Sequence, residues 1–169
     1  PYHWGNADAW SIQLEVEPYE RLRAVDAGDA PVVPSRHARA LRVIHEKVHR
    51  VAGSGAIPFV LGGDHSITYP SAAAVARHVW PRKVGVVHFD AHADLRPDLW
   101  GDEWTHATIL GRVADRIGFK NLFQFGIRSG SKEEWEIAQK HGTLHPFTKD
   151  EIAKVLDSLG DRPVYLTCD

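Results

Sequence analysis

The residues with the most chemistry to offer are clustered in "HFDAHAD" (88–94), where Asp90, His92 and Asp94 occupy alternate positions directly after the apolar run Val84–Val87. In an extended chain, positions i, i+2 and i+4 share a face, so these three side chains can converge on one point. Two carboxylates facing each other at the end of a buried strand repel unless a cation lies between them. Two further apolar runs also finish in chemistry-bearing residues: "FVLGGDHS" supplies Asp64 and His65, and "VYLTCD" supplies Asp169. Neighbouring strand ends can deliver His65 and Asp169 to the same point. Imidazole and carboxylate donors without a thiolate suit Mn(II), Fe(II), Ni(II) or Zn(II) better than copper or structural zinc. Three carboxylates exceed the need of one divalent ion, and two ions roughly 3.5–4 Å apart would use them all. His88 lies inside the strand, out of phase with His92, and reads as a packed or supporting histidine.

The elements that must position these groups follow from periodicity. Leu41, Ile44, Val48 and Val51 form one apolar stripe, which predicts a helix over 36–53 with Ser35 as N-cap and Gly53 and Gly55 at its end. "IPFVL" (57–61), "KVGVVHF" (83–89), "NLFQFGI" (121–127) and "PVYLTC" (163–168) read as strands. Helices are expected from Tyr69 or Pro70 to Val79, over 105–117 with Thr105 as cap, over 131–141, and over 149–160 ending on Gly160. Residues 1–34 read as irregular, with "DAGDAPVVP" (26–34) a strand end and loop. Short apolar strands alternating with helices predict an α/β fold, a three-layer α/β/α sandwich with a mostly parallel central sheet. Ligands bind such sheets beyond the carboxyl ends of the strands, which is where the acidic and imidazole residues lie.

Composition narrows the classes of function. A chain of 169 residues is long enough for one domain, expected over 1–169, and its formal charge of −2 gives no reason to expect nucleic acid or an anionic membrane as partner. Cys168 is the single cysteine, so neither a disulfide framework nor a thiolate metal site can form within one chain, which fits a reducing, cytoplasmic setting. No apolar run approaches the roughly 20 residues of a membrane span. The chain contains no methionine and stops at Asp169, directly after an apolar run where a functional loop is expected. It is therefore expected to be an incomplete piece of a longer protein.

"LGGDHSITYP" (61–70) and "VVHFDAHADLRPD" (86–98) resemble the two metal-binding signatures of the ureohydrolase family, that of arginase and agmatinase, and "VYLTCD" resembles the start of its third. "DAGDAPVVP" and "FGIRSG" are similar to agmatinase segments, so the resemblance covers most of 24–169. It implies an arginase-like three-layer fold, a homo-oligomer (trimer or hexamer), and hydrolysis of a guanidino compound to urea and an amine. By position it implies His65, Asp90, His92, Asp94 and Asp169 as ligands of two Mn²⁺ ions, with Asp90 and Asp169 bridging. Ni²⁺ or Co²⁺ would be accepted by the same donors. A sixth ligand, two positions beyond Asp169, and a downstream acidic residue for the guanidinium would be needed to complete the family's site. His106, in "THATI", resembles a family histidine that lines the site and shuttles protons, with Thr105 in place of the commoner Ser.

The chemistry makes such a site intelligible. A guanidinium carbon is a poor electrophile because its charge is spread over three nitrogens. Its hydrolysis needs a hydroxide near neutral pH, which a divalent metal centre supplies, and a bridging carboxylate such as Asp90 or Asp169 can relay the proton. Within the family, "DLRPDLWGDEWTHAT" is most similar to the agmatinase branch, which implies conversion of agmatine to putrescine and urea, a polyamine-forming reaction. Arg96, where arginases carry Asn, either reads a distal substrate carboxylate, as a guanidinobutyrase would require, or pairs with Asp98 or Asp102. Two other classes stay open: a deacetylase-like site with one zinc, and an inactive paralogue retained as an oligomer subunit.

Overall fold

A computed structural model describes residues 10–33 and 35–169; the reading of residues 1–9 and Pro34 as irregular lies outside them. The chain divides into two units, Pro1–Ala30 and Pro31–Asp169. In the first, Ser11 and Val16 form an antiparallel bridge and α1 (Pro18–Arg21) makes a single turn. Gly28 N–H donates to Asp26 Oδ1 at 2.7 Å, a local Asx turn. Residues 22–33 carry no regular structure, so "DAGDAPVV" is loop alone and the strand end expected there is absent.

The second unit is built on four parallel strands: β1 (Gly85–Phe89), β2 (Leu122–Phe125), β3 (Leu144–His145) and β4 (Val164–Cys168), in the spatial order β3-β2-β1-β4. The helices are α2 (His37–Gly53), α3 (Thr68–His78), α4 (Ile109–Ile117), α5 (Lys132–His141) and α6 (Lys149–Leu159). β1 is central, so both its faces are covered, and alternate residues go to opposite sides. Val86 and Leu122 pack with α3, α4 and α5 through Ala72, Ile109, Val113 and Ala138. Val87 and Phe125 pack with α6 through Val155 and Leu159. Helices thus cover both faces, the three-layer α/β/α arrangement expected from the alternation of elements. Among the described residues no helix is long and apolar enough to cross a membrane.

Three expectations are corrected. "IPFVL" (57–61) pairs with no strand among the described residues, and Ile57, Phe59 and Leu61 are exposed. Composition can propose a strand, but only pairing with a neighbour can make one; β1 and β2 are flanked on both sides, and neither edge strand, β3 or β4, pairs with 57–61. Helix α4 starts at Ile109 rather than Thr105, because the backbone carbonyl of Asp94 accepts from Leu110 N–H and Gly111 N–H at 3.0 and 3.2 Å. Thr108 Oγ1 meanwhile draws 103–108 into a turn by donating to the carbonyls of Glu103 and Thr105. Helix α2 is capped by Arg36 without a side-chain bond, so Ser35 is not its cap. Two ends follow the expected chemistry: Ser131 and Glu134 form a reciprocal capping box at α5, and α6 stops at Gly160.

The end of β2 closes tightly on the end of β1. Gly126 adopts φ +85°, and a Cβ there would lie 3.0 Å from the backbone oxygen of Asp90. Only glycine takes that conformation without strain. Gly126→Ala should therefore destabilise the fold by about 1–3 kcal/mol. Urea unfolding measures the loss; an unchanged midpoint would mean the two strand ends are not locked together.

Candidate metal centre

The centre lies at the carboxyl ends of β1 and β4 and in the turn preceding α3. That turn, Gly62–His65, needs two left-handed residues, and glycine supplies both at φ +123° and +48°. Asp64 then caps the short 3₁₀ turn His65–Ile67 by accepting from Ser66 N–H at 2.9 Å. Burial works against its charge, but the bonds from Ser66 and the nearby imidazoles of His106 and His37 hold its pKa below the ordinary range. In "GGDH" the aspartate is thus a cap, and the histidine is the group sent inward.

His65 is buried and sits at the focus of three carboxylates. Its Nδ1 lies 2.6 Å from Asp94 Oδ2, 3.5 Å from Asp90 Oδ2 and 3.9 Å from Asp169 Oδ2. On the far side of the ring, Nε2 meets Thr167 Oγ1 at 2.9 Å, and Thr68 Oγ1 stands 3.2 Å from that hydroxyl. The Thr167 bond fixes which edge of the imidazole faces the carboxylates. Burial disfavours a charge on His65, yet the hydrogen bond and charge of Asp94, reinforced by Asp169 and Asp90, raise its pKa above the ordinary imidazole value. The pocket of carboxylates therefore attracts positive charge strongly enough to overcome desolvation.

Asp90 is divided between two surroundings. Its Oδ2 faces His65 and accepts from His88 Nε2 at 3.0 Å; its Oδ1 accepts from His92 N–H at 2.8 Å and lies 3.4 Å from His92 Nδ1. Burial alone would raise its pKa, but the bonds from His88 and from His92 N–H, with the imidazoles of His88 and His65 alongside, bring it down to about 2. The extended geometry assumed for "DAHAD" ends at Phe89. Asp94 instead adopts φ +52°, a left-handed conformation that aspartate tolerates better than most residues. Its carbonyl is tied to the first turn of α4 while its carboxylate turns inward to His65. His92 consequently faces outward, with 59% of its side chain exposed.

Asp90, Asp94 and His65 are thus brought together, with Asp169 at the margin, its backbone N–H bonded to Phe89 O at 3.0 Å. Donor atoms of His65, His88, Asp90 and Asp94 all lie within 4.8 Å of one another, a spacing that could hold a cation. His106 stands exposed in the turn before α4, near enough to Asp64 to help hold that carboxylate ionised. Arg96 pairs through Nε with Glu134 Oε2 at 3.0 Å, not with Asp98 or Asp102. Glu134 is buried, also accepts from Ser131 N–H and Leu95 N–H, and so clamps the loop after Asp94 to α5. Its signal was present in the S-x-x-E capping box, which marks the helix start but not the reach to Arg96. Thr167 and Gln124 carry no motif that would single them out.

The arginase-family model matches residues 3–169. The agmatinase of Bacillus anthracis is 39% identical over 167 residues, covering 94% of this chain and 57% of that protein. The guanidinobutyrase of Pseudomonas aeruginosa is 30% identical, covering 95% of this chain and 53% of that protein. The formimidoylglutamase of Bacillus subtilis superposes with a TM-score of 0.81 at 26% identity, over 95% of this chain and 54% of that structure. The chain therefore spans about half the length of the relatives it matches. Its sheet, its signatures and these matches agree: the chain belongs to the arginase family.

Proposed function

We propose that the protein is a binuclear-metal amidinohydrolase that hydrolyses a guanidino compound to urea and an amine, with agmatine as substrate and putrescine as product. The observation that carries this reading is the division of Asp90, whose Oδ2 faces His65 and whose Oδ1 faces His92. A carboxylate with its two oxygens toward two different imidazoles is suited to join two cations. His65, Asp94 and Asp169 would hold one and His92 the other. The N/O donor set fits Mn²⁺. Bound ions would supply hydroxide near neutral pH and charge stabilisation for the tetrahedral carbon.

The chain's own residues then divide the work. Thr167 keeps the Nδ1 edge of His65 toward the carboxylates. Asp90, with a pKa of about 2 and both oxygens occupied, is a poor proton carrier and serves to hold the centre. Asp169, with Oδ2 3.9 Å from His65 Nδ1, is the carboxylate proposed to take a proton and pass it to the leaving amine. His106, exposed on the turn before α4, is suited to exchange that proton with solvent.

Arg96 bears on the choice of substrate. Its charge is already matched by the buried Glu134, which leaves it poorly suited to anchor a substrate carboxylate and favours agmatine over 4-guanidinobutyrate. A cytoplasmic homo-oligomer, trimeric or hexameric, is the form proposed to do this.

Metal analysis of the full-length protein should give about two Mn²⁺ per chain, and Asp94→Ala should lower both metal content and turnover, the latter at least about 100-fold. Absence of metal would favour the inactive paralogue, and a single zinc the deacetylase-like site. Across agmatine, 4-guanidinobutyrate, arginine and guanidine, agmatine should show the highest kcat/KM. Arg96→Ala should leave that ranking unchanged while costing about 1–3 kcal/mol of stability, because Glu134 loses a buried partner. Selective loss of one carboxylate-bearing substrate would instead make Arg96 part of the binding site.

A further inference from the structure

Behind the metal centre runs a chain of buried polar groups that the proposed chemistry does not use. Thr143, Gln124 and His88 are all fully buried, on or beside β1 and β2. Thr143 Oγ1 donates to Gln124 Oε1 at 2.8 Å, and Gln124 Nε2 donates to the carbonyl of Ala93 at 2.7 Å. A carbonyl oxygen can only accept, so this second bond fixes which end of the amide carries the hydrogens. The remaining hydrogen of Nε2 points at His88 Nδ1, 3.0 Å away. His88 Nδ1 must then be the acceptor, and its proton sits on Nε2, which lies 3.0 Å from Asp90 Oδ2.

We infer that Gln124 is a positioning residue: it fixes the tautomer of His88, so that His88 is a hydrogen-bond donor that orients Asp90 and not a ligand of the metal centre. His88 and His65 are stacked with ring centroids 5.1 Å apart, and by distance alone either could coordinate. They differ in what holds the other edge of the ring. His65 has Thr167 on Nε2, which leaves Nδ1 toward the carboxylates. His88 has an amide N–H on Nδ1, which commits Nε2–H to Asp90. That bond, with His92 N–H on the other oxygen, sets the carboxylate plane. Thr143 and Ala93 keep Gln124 from flipping, so three chain segments determine one proton position.

The part concerning metal rests on the reading of this cluster as a metal centre; the tautomer does not. Long-range ¹⁵N–¹H NMR on histidine-labelled, metal-free, full-length protein should give His88 as the Nε2–H tautomer. In Gln124→Glu, whose carboxylate demands a donor, Nδ1 should become protonated, so that it competes with Nε2–H for the ring's single proton or turns the ring into an imidazolium. Mn²⁺ titration should then read a loss of about 10-fold in affinity for Gln124→Glu, within the range for groups that orient metal ligands. His88→Gln, whose amide can reproduce the Nε2 donor, should keep affinity within a few-fold of wild type, whereas His88→Leu should lose about 10-fold or more. An Nδ1–H tautomer in the wild type would overturn the inference without any variant having to fold. So would equal losses for His88→Gln and His88→Leu, the pattern of a missing ligand. If the protein binds no Mn²⁺ while the NMR gives Nε2–H, the metal reading fails and the Gln124–His88–Asp90 arrangement stands.

Discussion

Three carboxylates converge on one buried imidazole, and that convergence is the constraint the rest of the second unit serves. Asp94, Asp90 and Asp169 surround His65 Nδ1 at 2.6, 3.5 and 3.9 Å. Carboxylates gathered about one point and partly removed from water repel one another unless positive charge sits among them. The lowered pKa of Asp90 comes mainly from the donors His88 and His92 N–H, with the imidazole of His65 adding to it, whereas the raised pKa of His65 reflects the field of the carboxylates. A proton satisfies it in part. A divalent ion would satisfy it more fully, and such sites select their cation by donor type and geometry.

Parallel topology is what makes the convergence attainable. Strands running the same way put all their carboxyl ends on one edge, where the chain must leave the sheet. The register aligns Phe89 of β1 with Cys168 of β4, so Asp90 and Asp169 emerge side by side. Neither could be reached from a hairpin, whose neighbouring ends point in opposite directions. His65 arrives from a different direction, off a glycine turn that needs no strand pairing to hold its shape. That independence explains how the site forms although 57–61, just before the turn, joins no ladder.

The readable part of this architecture was local. The stripe Leu41–Val51, the alternation of apolar runs with helices, and the types of residue at strand ends are all set within a dozen positions. What escaped was set by partners distant in sequence. Whether "IPFVL" becomes a strand depends on a neighbour, and its composition cannot supply one. The start of α4 depends on a carbonyl at Asp94, outside the helix, which outweighs Thr105 as a cap. Arg96 was read against nearby Asp98 and Asp102, while its partner Glu134 lies 38 residues away. The alternation rule for Asp90, His92 and Asp94 held only as far as the strand did.

The departure from that rule is itself informative. Had 90–94 stayed extended, Asp90, His92 and Asp94 would have pointed one way, with two carboxylates and an imidazole competing for a single focus. The left-handed turn at Asp94 and the outward placement of His92 divide them instead. Asp94 joins His65 on the inner side, His92 takes the outer side, and Asp90 lies between with one oxygen toward each. The backbone strain at Asp94 is offset where it arises, because its carbonyl receives the first N–H groups of α4. Those groups have no partner within the helix. One residue thus caps the helix with its backbone and serves the site with its side chain, and the strained conformation is what allows both.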